Sequence, residues 1–429
     1  MKNVLFVTYY WPPAGGVMMS RIFRFYENLH EYGWNPIILT VKDGDFPIHD
    51  SSLVNEILEN TIVYKTNNIR LQKKADRSSS NQTALYSFTD VTDKRLRTKF
   101  LKFIKFNFIP DTRILWAPFA VNKALEILKN QKIDLIFSSS PPQTNHIIAK
   151  KIKSKSAIPW VADLRDPWSD VFWMNHDSLR LSWISSWDKE IEKRTLSSAD
   201  ALVTVTPQLR DKYEEKYHSC HLIMNGYAEK YYTGLSKKKS KNKIYTIIYS
   251  GSMSYDQKPD LLFKILQKIK KTNPDKTSQI VVRFIGAFPG FLSSMIEEYD
   301  LRDICVIEPY IPMKDLVENL NMADLLFLTG VPDSQYGIIP SKLFDYIATR
   351  NPILGFYLDK DASYVLDKSG LGMNFSHGEE VEAFNYVLNA IDGLIKTEPN
   401  ESFIQSLSRR NQTQQLAQIF DDVWNSRNR

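Results

Sequence analysis

The stretch Val4-Leu-Phe-Val-Thr-Tyr-Tyr-Trp-Pro-Pro-Ala-Gly-Gly16 decides the fold class of this chain. It begins with a short apolar run that is typical of a buried strand, and it ends in a turn rich in proline and glycine. A helical pattern follows over Met19–Tyr32. A strand, a tight turn and a helix in this order form the first half of a βαβ unit, so we expect a parallel sheet.

The same alternation continues along the whole sequence. The first half predicts strands at Val4–Thr8, Pro36–Val41, Ile133–Ser138, Trp160–Leu164, Ala201–Thr206 and His221–Met224. The second half predicts strands at Tyr245–Tyr249, Ile280–Ile285, Ile304–Ile307, Asp324–Leu328 and Pro352–Phe356. The predicted helices cover Met19–Tyr32, Pro118–Asn130, Asp188–Ser197, Pro259–Lys271, Gly290–Tyr299, Lys314–Asn321 and Ser341–Ala348. We therefore expect an α/β protein with two Rossmann-like domains, each built on a parallel sheet.

A polar, basic run, Ser236–Lys243, separates the two halves and contains no apolar residue. Such a segment cannot bury enough apolar surface to become ordered, so we interpret it as a solvated linker. The predicted domains are therefore residues 1–235 and 236–402. Because open parallel sheets bind ligands at the carboxyl ends of their strands, we expect a central cleft lined by the loops that follow the strands.

Composition excludes several classes of protein. The 429 residues carry 55 Lys and Arg against 49 Asp and Glu, a net charge of +6, and 43% are hydrophobic, which argues against a mostly disordered chain. Two cysteines, Cys220 and Cys305, do not make a disulfide framework, so we expect a reducing compartment. No run approaches the ~20 apolar residues of a spanning helix, and we expect a cytoplasmic protein.

The turn after the first strand is a candidate anion site. Gly15 and Gly16 would let backbone N–H groups approach an anion at the start of a helix, and Arg21 would add a cation. The alternative is a plain strand-to-helix turn. The spacing matches neither a dinucleotide-binding glycine motif nor a Walker loop, which lowers the support for a dehydrogenase or a P-loop protein.

Two further loops of the first half follow strands. They are Ser139-Ser-Pro-Pro-Gln-Thr-Asn-His146 and Ala162-Asp-Leu-Arg-Asp-Pro-Trp168. Charged groups such as Arg165 and Asp166 are costly to bury without partners, so at a strand end they favour a polar ligand, and a nearby tryptophan suits a sugar ring. The alternative is an internal Arg–Asp pair that holds the loop.

In the second half, Gly251 ends the first strand and Lys258 lies at the start of the next helix, an arrangement that suits a diphosphate. The most specific stretch is Asp333–Leu354, in which Ser341 is predicted to be the N-cap of a helix. Lys342 and Asp345 are three residues apart and therefore lie on one helical face. The carboxylate would accept sugar hydroxyls, or the two residues would form an ordinary surface ion pair.

The segment Lys94–Phe108 mixes six basic residues with Phe, Leu and Ile and has no acidic residue. This pattern describes an interfacial amphipathic helix that contacts an anionic membrane, or else a domain helix with its apolar stripe in the core. His218-Ser-Cys-His221 offers too few ligands for a metal site, so no metal is expected. Nucleic-acid binding is not expected either, because no recognised module is present.

Taken together, these residues resemble the retaining family 4 glycosyltransferases, which have the two-domain GT-B fold. The matching segments occur in order over about residues 1–375: Trp11-Pro-Pro-Ala-Gly-Gly16, Ile158–Trp168, Met224-Asn-Gly226, Tyr249-Ser-Gly251 with Lys258, Phe284-Ile-Gly286, Ala323-Asp324 and Pro340-Ser-Lys-Leu-Phe-Asp-Tyr346. The resemblance implies transfer of a hexose from a nucleotide-sugar donor, UDP- or GDP-linked, with retention of anomeric configuration. It also implies that no cofactor or bound metal is needed.

The resemblance assigns expected roles to single residues. Gly15, Gly16 and Arg21 of the first domain, with Gly251, Lys258, Ser341 and Lys342 of the second, would bind the donor phosphates, since positive groups must take the diphosphate charge in the absence of a metal. Asp345 would hold the ribose, while Tyr310 and Ile311 would flank the base. The candidate catalytic residues are His146, Arg165 and Asp166. The leaving diphosphate is thought to deprotonate the acceptor in this class.

The sequence departs from the family pattern at several places. The common His-Asp pair after the Trp160 strand appears as Arg165-Asp166, and Met253-Ser254 lie where the family usually has the arginine paired with the donor lysine. The family usually carries Glu-x7-Glu ending at the position of Asp345, and Gly337 occupies the first position here, unless Asp333 or Gln335 substitutes. This departure leaves three readings of the activity open: a transferase, a nucleotide-sugar epimerase of the same fold, or a non-catalytic nucleotide-sugar-binding protein.

The resemblance also suggests a place and a pathway. A C-terminal helix within residues 403–429 is expected to pack back on the first domain, which would bind a saccharide or lipid-linked acceptor. We expect a role in bacterial surface polysaccharide or lipopolysaccharide assembly at the inner face of the plasma membrane.

Overall fold

The computed structural model describes residues 1–46, 48–69, 107–169, 181–235, 244–332 and 337–427. Three predicted features lie wholly or largely outside these ranges: the linker 236–243, residues 94–106 of the basic segment, and the loop residues Asp333 and Gln335. The chain forms two compact units. The first comprises Met1–Met224 and Arg410–Arg429, and the second comprises Asn225–Arg409.

The first unit contains a seven-stranded sheet in the order β3-β2-β1-β4-β5-β6-β7, with every neighbouring pair parallel. Its strands are β1 (Lys2–Val7), β2 (Trp34–Val41), β3 (Val63–Thr66), β4 (Leu135–Ser140), β5 (Trp160–Leu164), β6 (Ala201–Thr204) and β7 (Cys220–Leu222). Its helices are α1 (Val17–Leu29), α2 (Ala117–Asn130), α3 (Thr144–Ser156), α4 (Ser182–Leu196) and α5 (Pro207–Lys216). Short 3-10 turns lie at His30–Tyr32, Ser52–Glu56 and Thr112–Trp116.

The apolar opening stretch explains the position of the central strand. Val4 is aligned with Pro36 of β2 on one side and with Leu135 of β4 on the other, and its side chain is fully buried. A strand that is covered on both faces needs a continuous apolar run, which β1 provides over Val4–Val7. The first strand of the sequence therefore becomes the middle of the sheet.

The second unit contains a six-stranded parallel sheet in the order β10-β9-β8-β11-β12-β13. The strands are β8 (Tyr245–Ser250), β9 (Ile280–Ile285), β10 (Cys305–Glu308), β11 (Leu325–Thr329), β12 (Ile353–Phe356) and β13 (Gly372–Phe375). The helices are α6 (Asp260–Thr272), α7 (Pro274–Thr277), α8 (Phe291–Glu298), α9 (Met313–Met322), α10 (Ser341–Thr349), α11 (Lys360–Ser369), α12 (Glu380–Ile391) and α13 (Glu401–Ser406). A 3-10 turn at Glu229–Tyr231 precedes β8.

The last helix, α14 (Arg409–Arg427), belongs almost entirely to the first unit. The ring of Phe420 lies 5.3 Å from the rings of both Trp34 and Phe137, measured between centroids. Asp421 accepts hydrogen bonds from Trp34 Nε1 and from the Lys2 ammonium group. The chain therefore leaves the first unit, builds the second, and returns to complete the first core.

The predicted fold class, two Rossmann-like parallel-sheet domains, is confirmed. The sequence prediction omitted the short strands β3 and β13 and the helices α3, α5, α11 and α12. It also placed the start of α4 at Asp188, whereas the helix begins at Ser182. Within the described ranges, none of the helices combines the length and the apolar character needed to span a bilayer.

Candidate functional site

In the second unit, tight turns follow the carboxyl ends of β8 and β9. Gly251 has a φ of 89° and donates its N–H to the carbonyl of Ile285 over 2.8 Å. Gly286 has a φ of 148°, and a Cβ atom added to it would lie 2.2 Å from the carbonyl oxygen of Gly251. Both turns therefore need glycine, because a side chain would clash with backbone or require an unfavourable conformation. The result is a pair of closely spaced, half-buried backbone turns at the end of the sheet.

Helix α10 starts at the same edge. The backbone N–H of Ser250 donates to the hydroxyl of Tyr346 over 2.8 Å, and this bond ties the helix to the end of β8. The helix begins at Ser341, and Pro340 takes the N-cap position without a side-chain cap. The predicted N-cap role of Ser341 is therefore wrong. As the first helical residue, Ser341 still contributes one of the N–H groups that have no partner within the helix.

Lys342 extends from the first turn of α10 back over the end of β8. Its ammonium nitrogen lies 2.6 Å from the Tyr249 hydroxyl and 2.8 Å from the carbonyl oxygen of Ser252, and 3.8 Å from the centre of the Tyr249 ring. Burial lowers the pKa of Lys342 to about 7. A cation whose charge is this costly to desolvate gains strongly from an arriving anion.

Asp345 lies one turn further along α10, and its carboxylate accepts a hydrogen bond of 2.9 Å from the hydroxyl of Tyr232. Burial raises the pKa of Asp345 to about 6, although the hydrogen bond from Tyr232 and the charge of Arg409 both act in the opposite direction. The sequence pattern paired Asp345 with Lys342, whereas the hydrogen bonds show separate partners for the two side chains. The surface ion pair offered as the alternative is therefore not the arrangement observed.

Lys258 lines a cavity of about 360 Å³, together with Tyr255, Asp256, Asp260, Val331, Pro332 and Tyr357. The cavity lies beyond the ends of β11 and β12, because Thr329 ends β11 and donates its hydroxyl to the Lys258 carbonyl over 3.2 Å. The lining therefore combines one cation and two tyrosine rings with two carboxylates, so Lys258 is the group of this cavity that is able to attract a phosphate.

Two other predicted positions of the second unit are also visible. Tyr310 follows β10 and is 61% exposed, while the adjacent Ile311 is half-buried. Gly337, at the position of the first family glutamate, has a φ of 64° and donates its N–H to Asp359 over 3.1 Å. This left-handed conformation disfavours a glutamate, which gives a local physical reason for glycine there.

In the first unit, the turn at Gly15 and Gly16 is partly covered. The N–H of Gly15 donates to the carbonyl of Ile48 over 2.9 Å, and a Cβ atom on Gly15 would lie 2.8 Å from Cβ of Asp50. Gly16 is exposed and has a φ of 80°. The Gly15 N–H is therefore bonded within the protein in this conformation and does not face an anion. Gly16 is exposed to solvent at the start of α1.

Arg21 does not face a ligand. The guanidinium group is 1% exposed and donates to both carboxylate oxygens of Asp163, with a shortest distance of 2.8 Å, and to the carbonyl of Met224 over 2.9 Å. Asp163 also accepts from Ser139 Oγ over 2.6 Å. The prediction that Arg21 binds donor phosphates is corrected by this geometry. An internal Arg–Asp pair is thus present, but its arginine is Arg21 of α1 and not Arg165 of the loop, as the sequence alternative had it.

His146 is fully buried on α3. Its Nδ1 lies 2.8 Å from Ser138 Oγ, which also accepts the indole N–H of Trp160, and its ring stacks on Trp168 at 5.9 Å. Burial lowers the pKa of His146 to about 3. A side chain without exposed surface does not reach a substrate, which argues against the predicted catalytic role. The stack and the Ser138 contact make it a packing residue.

Arg165 and Asp166 remain partly exposed after β5. Burial raises the pKa of Asp166, while the positive charge of Arg165 lowers it. The two opposite charges therefore lie close together at the carboxyl edge of the first sheet, a position from which they are able to meet a polar ligand.

Sequence reasoning missed three residues that organise these sites: Tyr232, Tyr249 and Asp163. Tyr249 and Asp163 lie within motifs that the sequence analysis identified, so their positions could have been selected. Their roles, however, depend on partners that are distant in the sequence. No local signal identified Tyr232, since its partner Asp345 is far away in the sequence.

Two known protein families match successive parts of this chain. The family described as Glycosyltransferase Family 4 matches residues 82–229, and the family described as Glycosyl transferases group 1 matches residues 234–340. Together these matches cover more than half of the chain and include both units. The chain belongs to the family 4-like glycosyltransferases with the GT-B fold.

Solved structures support the same fold for this glycosyltransferase. Sucrose-phosphate synthase from Thermosynechococcus elongatus aligns with a TM-score of 0.64 at 12% identity, covering 99% of this chain and 100% of the other. Anabaena HepE in complex with UDP and glucose aligns with a TM-score of 0.62 at 12% identity, covering 98% and 100%. The lipopolysaccharide outer core galactosyltransferase WaaB gives 0.58 at 10% identity, covering 100% of both chains. A comparison with curated proteins found no match.

The predicted resemblance of this glycosyltransferase to family 4 is therefore confirmed. At such low identity the structural alignments establish the fold only. The assignment of individual site residues is based on the contacts described above. Among the residues that the structure describes, no group of three or more His, Cys, Asp or Glu side chains is arranged to hold a metal ion.

Proposed function

We propose that this glycosyltransferase is a retaining, metal-independent hexosyltransferase. It would move a sugar from a UDP- or GDP-sugar to a saccharide or lipid-linked acceptor. In this proposal residues 236–402 form the nucleotide-sugar-binding domain. Residues 1–235 form the acceptor-binding domain, which the helix within 403–429 completes.

The arrangement around Lys342 is the observation that carries the proposal. Its ammonium group lies at the first turn of α10, beside the Gly251 turn, where a Cβ atom would be 3.5 Å from Lys342 Cε. A helix N-terminus, a cation and bare backbone together favour a diphosphate. Binding of the anion would restore the ordinary pKa of Lys342 and keep it charged, so the same residue would stabilise the leaving group.

Two further groups extend the proposed donor site. Lys258 would supply a second cation from its cavity, and Tyr310 with Ile311 would flank the base. Asp345 would hold the ribose hydroxyls after exchanging its hydrogen bond with Tyr232 for bonds to the donor. Within the first domain, Gly16, Arg165 and Asp166 keep their proposed ligand-binding or catalytic roles, whereas the buried Arg21 and His146 do not.

The named neighbours support the donor class. HepE was solved with UDP, with UDP and glucose, and with UDP-glucose. WaaB is a galactosyltransferase of the lipopolysaccharide outer core. These descriptions favour a UDP-sugar over a GDP-sugar, and they favour an acceptor in bacterial surface polysaccharide or lipopolysaccharide assembly. The proposed location is the inner face of the plasma membrane, contacted through Lys94–Phe108.

A second candidate function follows from Gly337. This residue has no side chain to contact the donor sugar, so a non-catalytic nucleotide-sugar-binding protein is the principal rival, and an epimerase is the other. The three functions differ in what they do with the donor. A transferase needs an acceptor, an epimerase converts the donor alone, and a binding protein leaves the donor intact.

The decisive experiment combines binding with product analysis. A thermal-shift screen against UDP- and GDP-sugars should raise the melting temperature with one donor, because a ligand that binds only the folded state stabilises it. Product analysis should then show transfer to a saccharide acceptor or slow donor hydrolysis. A changed sugar without acceptor would establish an epimerase, and binding without any product at high enzyme concentration would establish a binding protein.

A matched pair of lysine variants tests the site itself. Lys342→Met should weaken UDP binding about tenfold or more, since a charge-assisted contact contributes roughly 1.5–3 kcal/mol. Lys314→Met changes an exposed lysine of α9 and should leave the affinity unchanged. If both variants bind UDP with the same affinity, Lys342 does not bind the diphosphate, and the proposal loses its main support.

A further inference from the structure

Helix α4 presents tryptophan rings to solvent. Trp183 is 60% exposed and Trp187 is 57% exposed, and their rings are stacked with centroids 6.5 Å apart. The spacing of four residues places both on one face of the helix. Leu181, also exposed, precedes them. Large apolar side chains that are clustered and exposed are uncommon on soluble surfaces and mark interaction sites.

The inner face of α4 is unusually acidic. Asp188 is buried and accepts the indole N–H of Trp168 over 3.0 Å, and Glu192 is buried and accepts the hydroxyl of Tyr213 over 2.9 Å. The helix therefore keeps carboxylates inside and tryptophans outside, the reverse of an ordinary surface helix. These internal bonds fix the orientation of the helix, so the exposure of the two rings is a stable property of the fold.

Exposed basic side chains follow the tryptophan pair along α4 and also occur on the neighbouring helix. Lys189, Lys193 and Arg194 are exposed on α4, and the neighbouring helix α3, which has no acidic residue, exposes Lys151 and Lys155. The two helices are in contact, and burial together with the charge of Arg194 lowers the pKa of Lys150 of α3. The partly exposed Glu190, three residues after Trp187, pairs with Arg194 at 2.5 Å, so the tryptophan face also carries an acidic side chain.

We propose that this surface, Leu181, Trp183 and Trp187 with the cations of α3 and α4, docks onto an anionic lipid bilayer. Tryptophan is favoured at the boundary between water and hydrocarbon, where its ring is buried and its N–H stays hydrated. Each nearby lysine or arginine adds about 1 kcal/mol at an anionic surface. Exposed rings next to a basic helical surface fit an anionic bilayer, which accepts both the rings and the positive charge, better than a hydrophilic acidic protein, which would match the charge alone.

A hydrogen bond links this surface to the end of the basic segment. The N–H of Leu181 donates to the side-chain oxygen of Asn107 over 3.1 Å, and Asn107 directly follows the basic, phenylalanine-rich residues 94–106 in the sequence. The docking surface deepens the proposed location at the plasma membrane, and it shares no residue with the proposed donor site. Membrane binding and donor binding are therefore separable by experiment.

Cosedimentation with vesicles tests the proposal. Wild-type protein should bind vesicles of phosphatidylcholine mixed with phosphatidylglycerol and bind phosphatidylcholine alone far less. Trp183→Ser/Trp187→Ser should reduce binding to the anionic vesicles about tenfold, a loss of about 1.4 kcal/mol. Tyr364→Ser/Val381→Ser removes exposed apolar side chains of the second unit and should have no effect.

Charge variants separate this surface from the basic segment. Lys151→Glu/Lys193→Glu should weaken binding to anionic vesicles, and the exposed pair Lys314→Glu/Lys396→Glu should not. Both tryptophan replacements should also act in a Lys99→Glu/Lys102→Glu/Lys105→Glu background. Far-UV circular dichroism and the thermal shift with UDP-sugar should stay unchanged, which shows that each variant is folded and that the donor site is unaffected.

Two outcomes would overturn the proposal. One is equal vesicle binding by the wild type and the tryptophan variant. The other is a lower molecular mass of the tryptophan variant than of the wild type in analytical ultracentrifugation without vesicles. That result would show that the surface mediates self-association. Failure of UDP-sugar binding with intact vesicle binding would instead overturn the proposed function alone.

Discussion

The hydroxyl of Tyr232 donates a 2.9 Å hydrogen bond to Asp345, and this bond joins the segment that opens the second unit to helix α10. The same carboxylate is proposed to bind the ribose of the donor. Tyr232 therefore occupies a group that the donor would need, and donor binding should exchange one hydroxyl partner for another.

The first prediction concerns this exchange. Asp345→Ala should weaken UDP-sugar binding at least about tenfold, because a hydrogen bond to a charged group contributes roughly 1.5–3 kcal/mol. Tyr232→Phe is the matched control, since it removes the competing hydroxyl and keeps the carboxylate, so its affinity should equal or exceed that of the wild type. Calorimetry measures both, and an unchanged dissociation constant for Asp345→Ala would exclude the ribose role.

The second prediction uses the raised pKa of Asp345, about 6, which exceeds the roughly 3.9 of an unfolded aspartate. Between these values the folded chain binds the proton more tightly, so stability falls as the pH rises. The loss approaches about 3 kcal/mol above pH 6. Asp345→Asn should therefore be more stable than the wild type in urea at pH 7.5, with the gain disappearing near pH 4. A destabilised Asn variant at pH 7.5 would contradict this.

The third prediction concerns His146, whose pKa of about 3 lies below that of an unfolded histidine. The unfolded chain takes up the proton first, so this contribution to stability is present above about pH 6.5 and is lost on acidification. His146→Phe retains a ring against Trp168 and should lose less stability between pH 6.5 and 4. Urea titrations at several pH values measure the slope, and parallel slopes for both proteins would refute the assignment.

The fourth prediction distinguishes a structural from a ligand-binding arginine. Arg21→Met leaves Asp163 buried without its cation and should cost about 3–5 kcal/mol of stability. Arg21→Met/Asp163→Leu removes both charges and should recover much of this loss. Urea denaturation followed by circular dichroism gives both values. A normal stability with weakened UDP binding in Arg21→Met would restore the original phosphate role.

The fifth prediction uses two glycines near the second-unit edge. Gly286→Ala would place a Cβ atom 2.2 Å from the Gly251 carbonyl and should destabilise the second unit by about 3 kcal/mol or more. Gly290→Ala has no atom within 4 Å and an ordinary φ of −58°, so it should be neutral or slightly stabilising. Thermal denaturation compares the two, and similar melting temperatures would disprove the close approach.

Much of the fold was predictable because parallel strands buried on both faces are continuous apolar runs. Strands such as β1 and β11 have this signal, whereas β3 and β13 are short edge strands with weak patterns. The start of α4 was missed because Trp183 and Trp187 point outward, so the periodicity of this helix does not match a core-facing stripe.

The candidate site was predictable only in part. Glycine turns and Lys342 follow from local motifs, since a strand end and a helix start are encoded in neighbouring residues. Pair formation depends on tertiary structure. Nothing near Arg21 in the sequence indicates that Asp163 is its partner, and nothing near Asp345 indicates Tyr232. Predictions for single residues at Arg21 and His146 failed for this reason.

The return of α14 to the first unit also has a consequence for biosynthesis. Phe420 fills a position between Trp34 and Phe137, so the core of the first unit stays open until the second unit has been synthesised. The second unit is continuous in sequence, so it is able to fold on the ribosome before the first unit is complete. We therefore expect the N-terminal residues, although made first, to reach their native packing last, and to depend on chaperones in the interval.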